Sequence, residues 1–176
     1  QMLQAGGVPE DDPLLAKAYI ALDLGSEAVM NLRNPDNQEE IVLREIAFML
    51  DGRMRTNLTY FQELAGCYER ANFWLGVAQL TEGQGEGASR IDASFNEFRH
   101  LPLQLRTSVT AIAVPALDAT GGRFLAQKMM ASFSKEELAD SSQLQFANAV
   151  IELAQGNMAA EELIRTYLLQ GRFQED

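Results

Sequence analysis

Apolar residues recur every three or four positions along almost the whole chain, and that period admits one kind of secondary structure. Leu15, Ala18, Tyr19 and Leu22 share a helical face, as do Val42, Ile46, Met49 and Leu50, then Leu58, Phe61, Leu64, Ala65 and Tyr68. The pattern continues through Ile91, Phe95 and Phe98, Leu105, Val109 and Ile112, and Leu125, Met129 and Phe133. It closes with Ala147, Val150, Ile151 and Ala154, then Leu163, Ile164, Tyr167 and Leu168. Such spacing puts apolar side chains on one stripe of an α-helix. No alternating apolar and polar run bounded by turn residues competes for a strand, so the expected class is all-α.

Punctuation divides this helical text into eight or nine helices. Pro35 stops one helix, and Asp36 with Glu39 offers an N-cap for the next; Ser134 with Glu137 forms a second capping-box pattern. Pro102 suits the first turn of a helix that Pro115 closes, and Gly156 and Gly171 stand where C-terminal caps belong. Breaks are expected near residues 35, 52, 66, 83, 101, 115, 134, 156 and 171, although Gly66 alone need not end a helix. Every second break gives intervals from 31 residues (35 to 66) to 41 (115 to 156). These scatter about the roughly 34-residue unit of two-helix repeats. Ordinary helices of about 11 to 12 residues joined by short loops give similar spacing without any repeat.

The stretch QFANAVIELAQGNMAAEELIRTYLL resembles a degenerate tetratricopeptide-repeat hairpin, with Ala149 seven residues before Gly156 and a Gly-Asn turn. It departs from that family at Glu152, Glu161 and Arg165, where a large apolar residue, Ala and an aromatic residue belong. The resemblance covers about 30 of 176 residues. It implies antiparallel hairpins stacked as a short right-handed α-α superhelix, a scaffold that holds a protein or peptide. The alternative is a compact helical bundle that binds an apolar small molecule between its helices, with the seven Met as support.

Composition narrows the function. At 47% apolar and 22% charged residues, the chain is expected to fold as one domain over residues 13–176, behind a flexible tail or linker at 1–12. A net charge of −11 opposes the phosphate neutralisation that drives nucleic-acid binding. The long uncharged stretch TSVTAIAVPAL is too short to cross a bilayer and contains Pro115, so no membrane insertion is expected. The expectation is a soluble protein, cytoplasmic, or periplasmic or secreted if an upstream signal has been removed. The lone Cys67 excludes an internal disulfide and reads as a small buried hydrophobe.

Catalytic signals are weak. The glycine-rich TEGQGEGAS (81 to 89) could cradle a phosphate, but Glu82 and Glu86 oppose one, no Lys follows and no strand precedes. It reads as a flexible interhelical loop, and Gly121-Gly122 as the turn before a helix from Arg123 to Phe133. His100, the only histidine, has no ligand set and reads as a helix-end residue meeting the last carbonyls. The Glu pairs at 39-40, 136-137 and 161-162 fall in first turns of helices, where the macrodipole favours them. Asn57-Leu58-Thr59 is a formal sequon that opens a helix. No enzyme, metal or cofactor is expected.

The segment ERANFWLGVAQL (69 to 80) is the most informative. Ala71, Trp74, Leu75 and Ala78 share a core-type stripe, while Phe73, Val77 and Leu80 point nearly the opposite way. A helix apolar on both sides is either sandwiched between layers or presents its second face to another chain. On the second reading Phe73, Val77 and Leu80 form the partner surface, joined by Arg53 and Arg55, which would receive an acidic partner.

Overall fold

The computed structural model of the chain describes residues 12–52, 57–67 and 71–170, and these form twelve helices with no strand among them. They are α1 (Pro13–Ala21), α2 (Gly25–Asn31), α3 (Gln38–Asp51), α4 (Leu58–Cys67), α5 (Ala71–Thr81) and α6 (Glu86–Ala93). The second half holds α7 (Phe95–His100), α8 (Leu103–Ala119), α9 (Arg123–Met130), α10 (Lys135–Asp140), α11 (Ser142–Ala154) and α12 (Ala160–Gln170). The all-α reading is what the structure shows. Residues 1–11, Arg53, Arg55, Gly171 and the side chain of Cys67 lie outside the described residues.

The helix count exceeds the expected eight or nine because several turns carry no glycine or proline. The turn between α1 and α2 places Asp23, not Gly, in the left-handed region at φ 60°, with the Leu24 amide donating to the Tyr19 carbonyl at 2.9 Å. Asp tolerates that conformation, so the break is silent to a search for Gly and Pro. The face of α1 also differs from expectation: Ala16 and Ile20 are buried, whereas Leu15, Ala18 and Leu22 are exposed.

Pro115 does not close its helix; it lies inside α8, which runs on to Ala119. An interior proline removes one hydrogen bond and costs about 3 kcal/mol. Leu105, Val109, Ala113, Val114 and Leu117 are all buried along α8, and burial of each larger side chain contributes about 1.5 to 3 kcal/mol, so packing overrides the break. The helix ends at the Gly pair, where Gly121 has φ 81° and the Gly122 amide donates to the Leu117 carbonyl. That turn stands as expected, and α9 starts at Arg123 as expected but ends at Met130, three residues before Phe133.

Capping chemistry is close to the sequence reading. Ser134 and Glu137 form the reciprocal capping box of α10, and Gly156 takes a positive φ of 92° after α11. The cap of α3 is Asn37 rather than Asp36, its side chain accepting from the Glu40 amide. The His100 ring Nδ1 lies 2.7 Å from the Asn96 carbonyl at the end of α7. Asn57 accepts from the Thr59 amide at the start of α4. All three Glu pairs lie in first turns.

Gly66 is interior to α4, and a Cβ built there meets nothing within 4 Å. Gly66→Ala is therefore expected to raise stability by about 0.5 to 1 kcal/mol, the helix-interior difference between the two residues, read as a higher urea midpoint at unchanged m-value.

The helices gather around α8, which meets α1, α3, α5, α9 and α11. In a solenoid each repeat touches only its sequence neighbours, and the contact between α1 and α8 has no place in that pattern. One hydrophobic core runs from Ile20 of α1 to Ala147 of α11, while α12 rests on α11 outside it. Through its middle passes a chain of aromatic rings. Trp74 meets Phe73 edge-on at 5.2 Å, Phe73 lies 6.2 Å from Phe98, and Phe98 lies 6.4 Å from Phe133, over which the Arg106 guanidinium sits at 4.7 Å.

Candidate functional site: an apolar groove beside α5

The two faces of α5 are both covered by this chain. Phe73, Val77 and Leu80 are 1%, 0% and 1% exposed, and Ala71, Leu75 and Ala78 are buried as well. The sandwiched arrangement holds: Val77 and Leu80 offer no free surface to a partner, and Phe73, almost wholly covered, only borders a groove. α5 packs most extensively against α6, because Gly76 and Gly87 let the two backbones touch, and it also meets α3, α4, α7 and α8. The glycine-rich segment is therefore less a loose loop than the turn and first residues of a tightly packed helix. Gly83 at φ 75° makes the turn, and Gly87 lies buried inside α6.

Trp74 departs from its expected place in the core. It is only half-buried, on the border of the apolar circumference of α5, and its indole forms part of the wall of a groove of about 600 Å³. The floor comes from α3 and α5, with Val42, Ile46, Ala71 and Phe73 buried and Leu43 half-buried. Leu64 of α4 and Leu101, just after α7, extend the apolar lining. Among the described residues, the charged groups lining it are Lys17 of α1, Glu39 of α3 and Glu97 of α7, and Lys17 donates to Glu39. The result is a cleft with an apolar interior and a charged rim, which is the build and size of a small-molecule pocket.

A second cavity of about 600 Å³ lies beside α8 and α10 and has a different character. Asp23, Glu136, Glu137 and Asp140 line it together with Ser141 and Ser142, and Arg106 reaches Glu137 at 3.5 Å. Leu22 and Leu103 line it too, so it is a mixed hollow with four carboxylates among its described lining.

No family model matches the sequence, and neither a curated protein nor a solved structure does.

Lys17, Leu43 and Glu97 of the groove carried no sequence signal. They stand 26 and 54 residues apart in the chain (17 to 43, 43 to 97), and only the packing of α1, α3 and α7 brings them to one cleft. The five described methionines, a residue type that had supported a ligand-binding bundle, do not line it. Met49, Met129 and Met130 are core residues, and Met30 and Met158 are exposed.

Proposed function

We propose that the protein is a non-enzymatic binding module, a compact helical bundle that takes an apolar small molecule in the groove between α3 and α5. The observation that carries this reading is the groove itself: half-buried Leu43, Leu64 and Trp74 line it over a buried floor of Val42, Ile46 and Phe73. A cleft with an apolar lining is where transfer of an apolar ligand from water is favourable.

The test is thermal melting with micromolar decanol. At about 100 times its Kd a ligand adds about 2.7 kcal/mol, which in a chain of this length raises Tm by about 5 to 10 °C. Leu43→Gln places an amide on the wall at nearly unchanged helix propensity and should abolish the shift. A wild-type Tm that stays flat at saturating decanol would contradict the reading.

A protein-binding scaffold is the second reading, and α12 is the observation in its favour. Leu163, Leu168 and Leu169 stand exposed on that helix. The two readings separate by place, since Leu43→Gln leaves α12 untouched.

A further inference from the structure

Helix α1 turns apolar side chains outward. Leu14 is 75% exposed and Leu22 57%, Leu15 and Ala18 are exposed as well, and the buried side of the helix is Ala16 and Ile20. At about 100° per residue the four exposed residues fall within one arc about 100° wide. Leu15, Ala18 and Leu22 stand three and four residues apart (15 to 18, 18 to 22), the spacing of a seam that packs against another helix. α1 meets α2, α3 and α8, and the exposure of these residues shows that the arc is left open.

The seam runs at its C-terminal end into the second cavity, which Leu22 lines together with the exposed Leu103 from the first turn of α8. Asp23, Glu136 and Asp140 line the same hollow, and among the described residues none of the three makes an ion pair. The left-handed turn fixes Asp23 directly after the last residue of the seam. Arg106 is engaged by Glu137 and by the ring of Phe133, and Lys135 precedes Glu136 in α10 but is not among the described lining. Carboxylates gathered without counter-charges repel one another, and a cation brought among them relieves that repulsion. A second copy of this chain is a poor occupant, since each copy carries −11.

We infer that the outer face of α1, with the hollow at its end, docks a basic amphipathic helix of a partner protein. The apolar stripe of that helix lies along Leu15, Ala18 and Leu22, and its Lys or Arg side chains reach Asp23, Glu136 and Asp140. From Leu14 to Leu22 the chain rises about 12 Å, so two to three turns of a partner helix cover the seam, the extent of a weak and reversible contact. This surface is separate from the groove beside α5 and does not rest on the function proposed for it.

Three labelled peptides of about four helical turns test it by fluorescence anisotropy at pH 7 and low salt: one of Leu and Lys with the leucines on one face, its scramble of equal charge, and a counterpart with Glu in place of Lys. The Leu-Lys peptide should bind with a Kd of about 10 to 100 μM, the scramble about tenfold weaker and the Leu-Glu peptide weakest. Leu22→Gln and Leu15→Gln should each weaken the Leu-Lys peptide about five- to tenfold. Asp23→Asn combined with Asp140→Asn should cost about three- to fivefold, a difference that about 0.5 M NaCl removes. Leu168→Gln on α12 and Leu43→Gln in the groove should leave the affinity unchanged. Equal binding of the scramble or of the Leu-Glu peptide, a loss from Leu168→Gln or Leu43→Gln as large as that from Leu22→Gln, or no saturable binding at about 1 mM peptide would overturn the docking surface. Sedimentation of the chain alone gives the remaining outcome: a dimer that Leu22→Gln dissolves would assign the face to a second copy and overturn the basic partner.

Discussion

Phe73→Ala is expected to lower stability by about 3 to 5 kcal/mol, and Trp74→Ala by only about 1 to 2 kcal/mol, although Trp is the larger residue. Phe73 is 1% exposed and sits between Trp74 and Phe98 in the run of rings that crosses the core. Its removal leaves a cavity whose walls are helices α5, α7 and their neighbours, which cannot collapse inward without moving backbone. Trp74 already borders the groove, so its truncation widens a space that water enters. From the sequence Trp74 falls on the core stripe with Ala71, Leu75 and Ala78, and the two losses are expected to be comparable if α5 is sandwiched, or Phe73→Ala to cost little if its face meets a partner. Urea unfolding of the two variants ranks them. A Trp74→Ala loss equal to or above that of Phe73→Ala would place the indole in the core and close the groove. Trp74→Ala should also weaken decanol binding at least threefold while Phe73→Ala, where it remains folded, perturbs the floor.

Gly87→Ala is expected to cost about 2 to 3 kcal/mol, opposite in sign to Gly66→Ala in another helix of the same protein. A Cβ on Gly87 would lie 2.3 Å from the Gly76 carbonyl oxygen and 2.9 Å from the Leu80 amide nitrogen. Both are backbone atoms of α5, so no side chain can swing away and the two helices must part. The clash is mutual: a Cβ on Gly76 would lie 2.9 Å from the Gly87 carbonyl oxygen and 2.9 Å from Ile91 Cγ1. Separating α5 from α6 loosens contacts of Leu80 and Ile91, both fully buried, and overpacking of this kind costs about 1 to 3 kcal/mol before any helix-propensity gain is returned. Denaturant melts of Gly66→Ala and Gly87→Ala form a matched pair, and a stabilising Gly87→Ala would show that α5 and α6 do not touch at this point.

The period of apolar residues made the helical class legible, and cap chemistry located Ser134, Gly156 and the Gly121-Gly122 turn. Three things were hidden for identifiable physical reasons. Asp23 makes a left-handed turn without glycine, and Pro115 stays inside α8 because the buried side chains along that helix outweigh one lost hydrogen bond. Gly76 and Gly87 look like a weak helix position and a loop residue until the two are seen to meet. The groove was less legible still. That α5 is apolar on both faces could be read from ANFWLGVAQLT, but which of its residues stands at the edge is decided by helices α3 and α7, far away in sequence. Phe73 is buried as the sandwiched reading expects, while Trp74, adjacent in the chain, leaves the core stripe for the groove wall.

The most direct test of the groove uses Trp74 as its own reporter. It is the single tryptophan of the chain and lines the cleft, so its emission reads this place alone. A decyl ligand brominated along its tail quenches an indole only at contact. Titration should quench Trp74 emission saturably at one ligand per chain, and Leu43→Gln should abolish the quenching without unfolding the protein. Binding measured by calorimetry with Trp74 emission unchanged would put the ligand elsewhere and contradict the assignment of the groove.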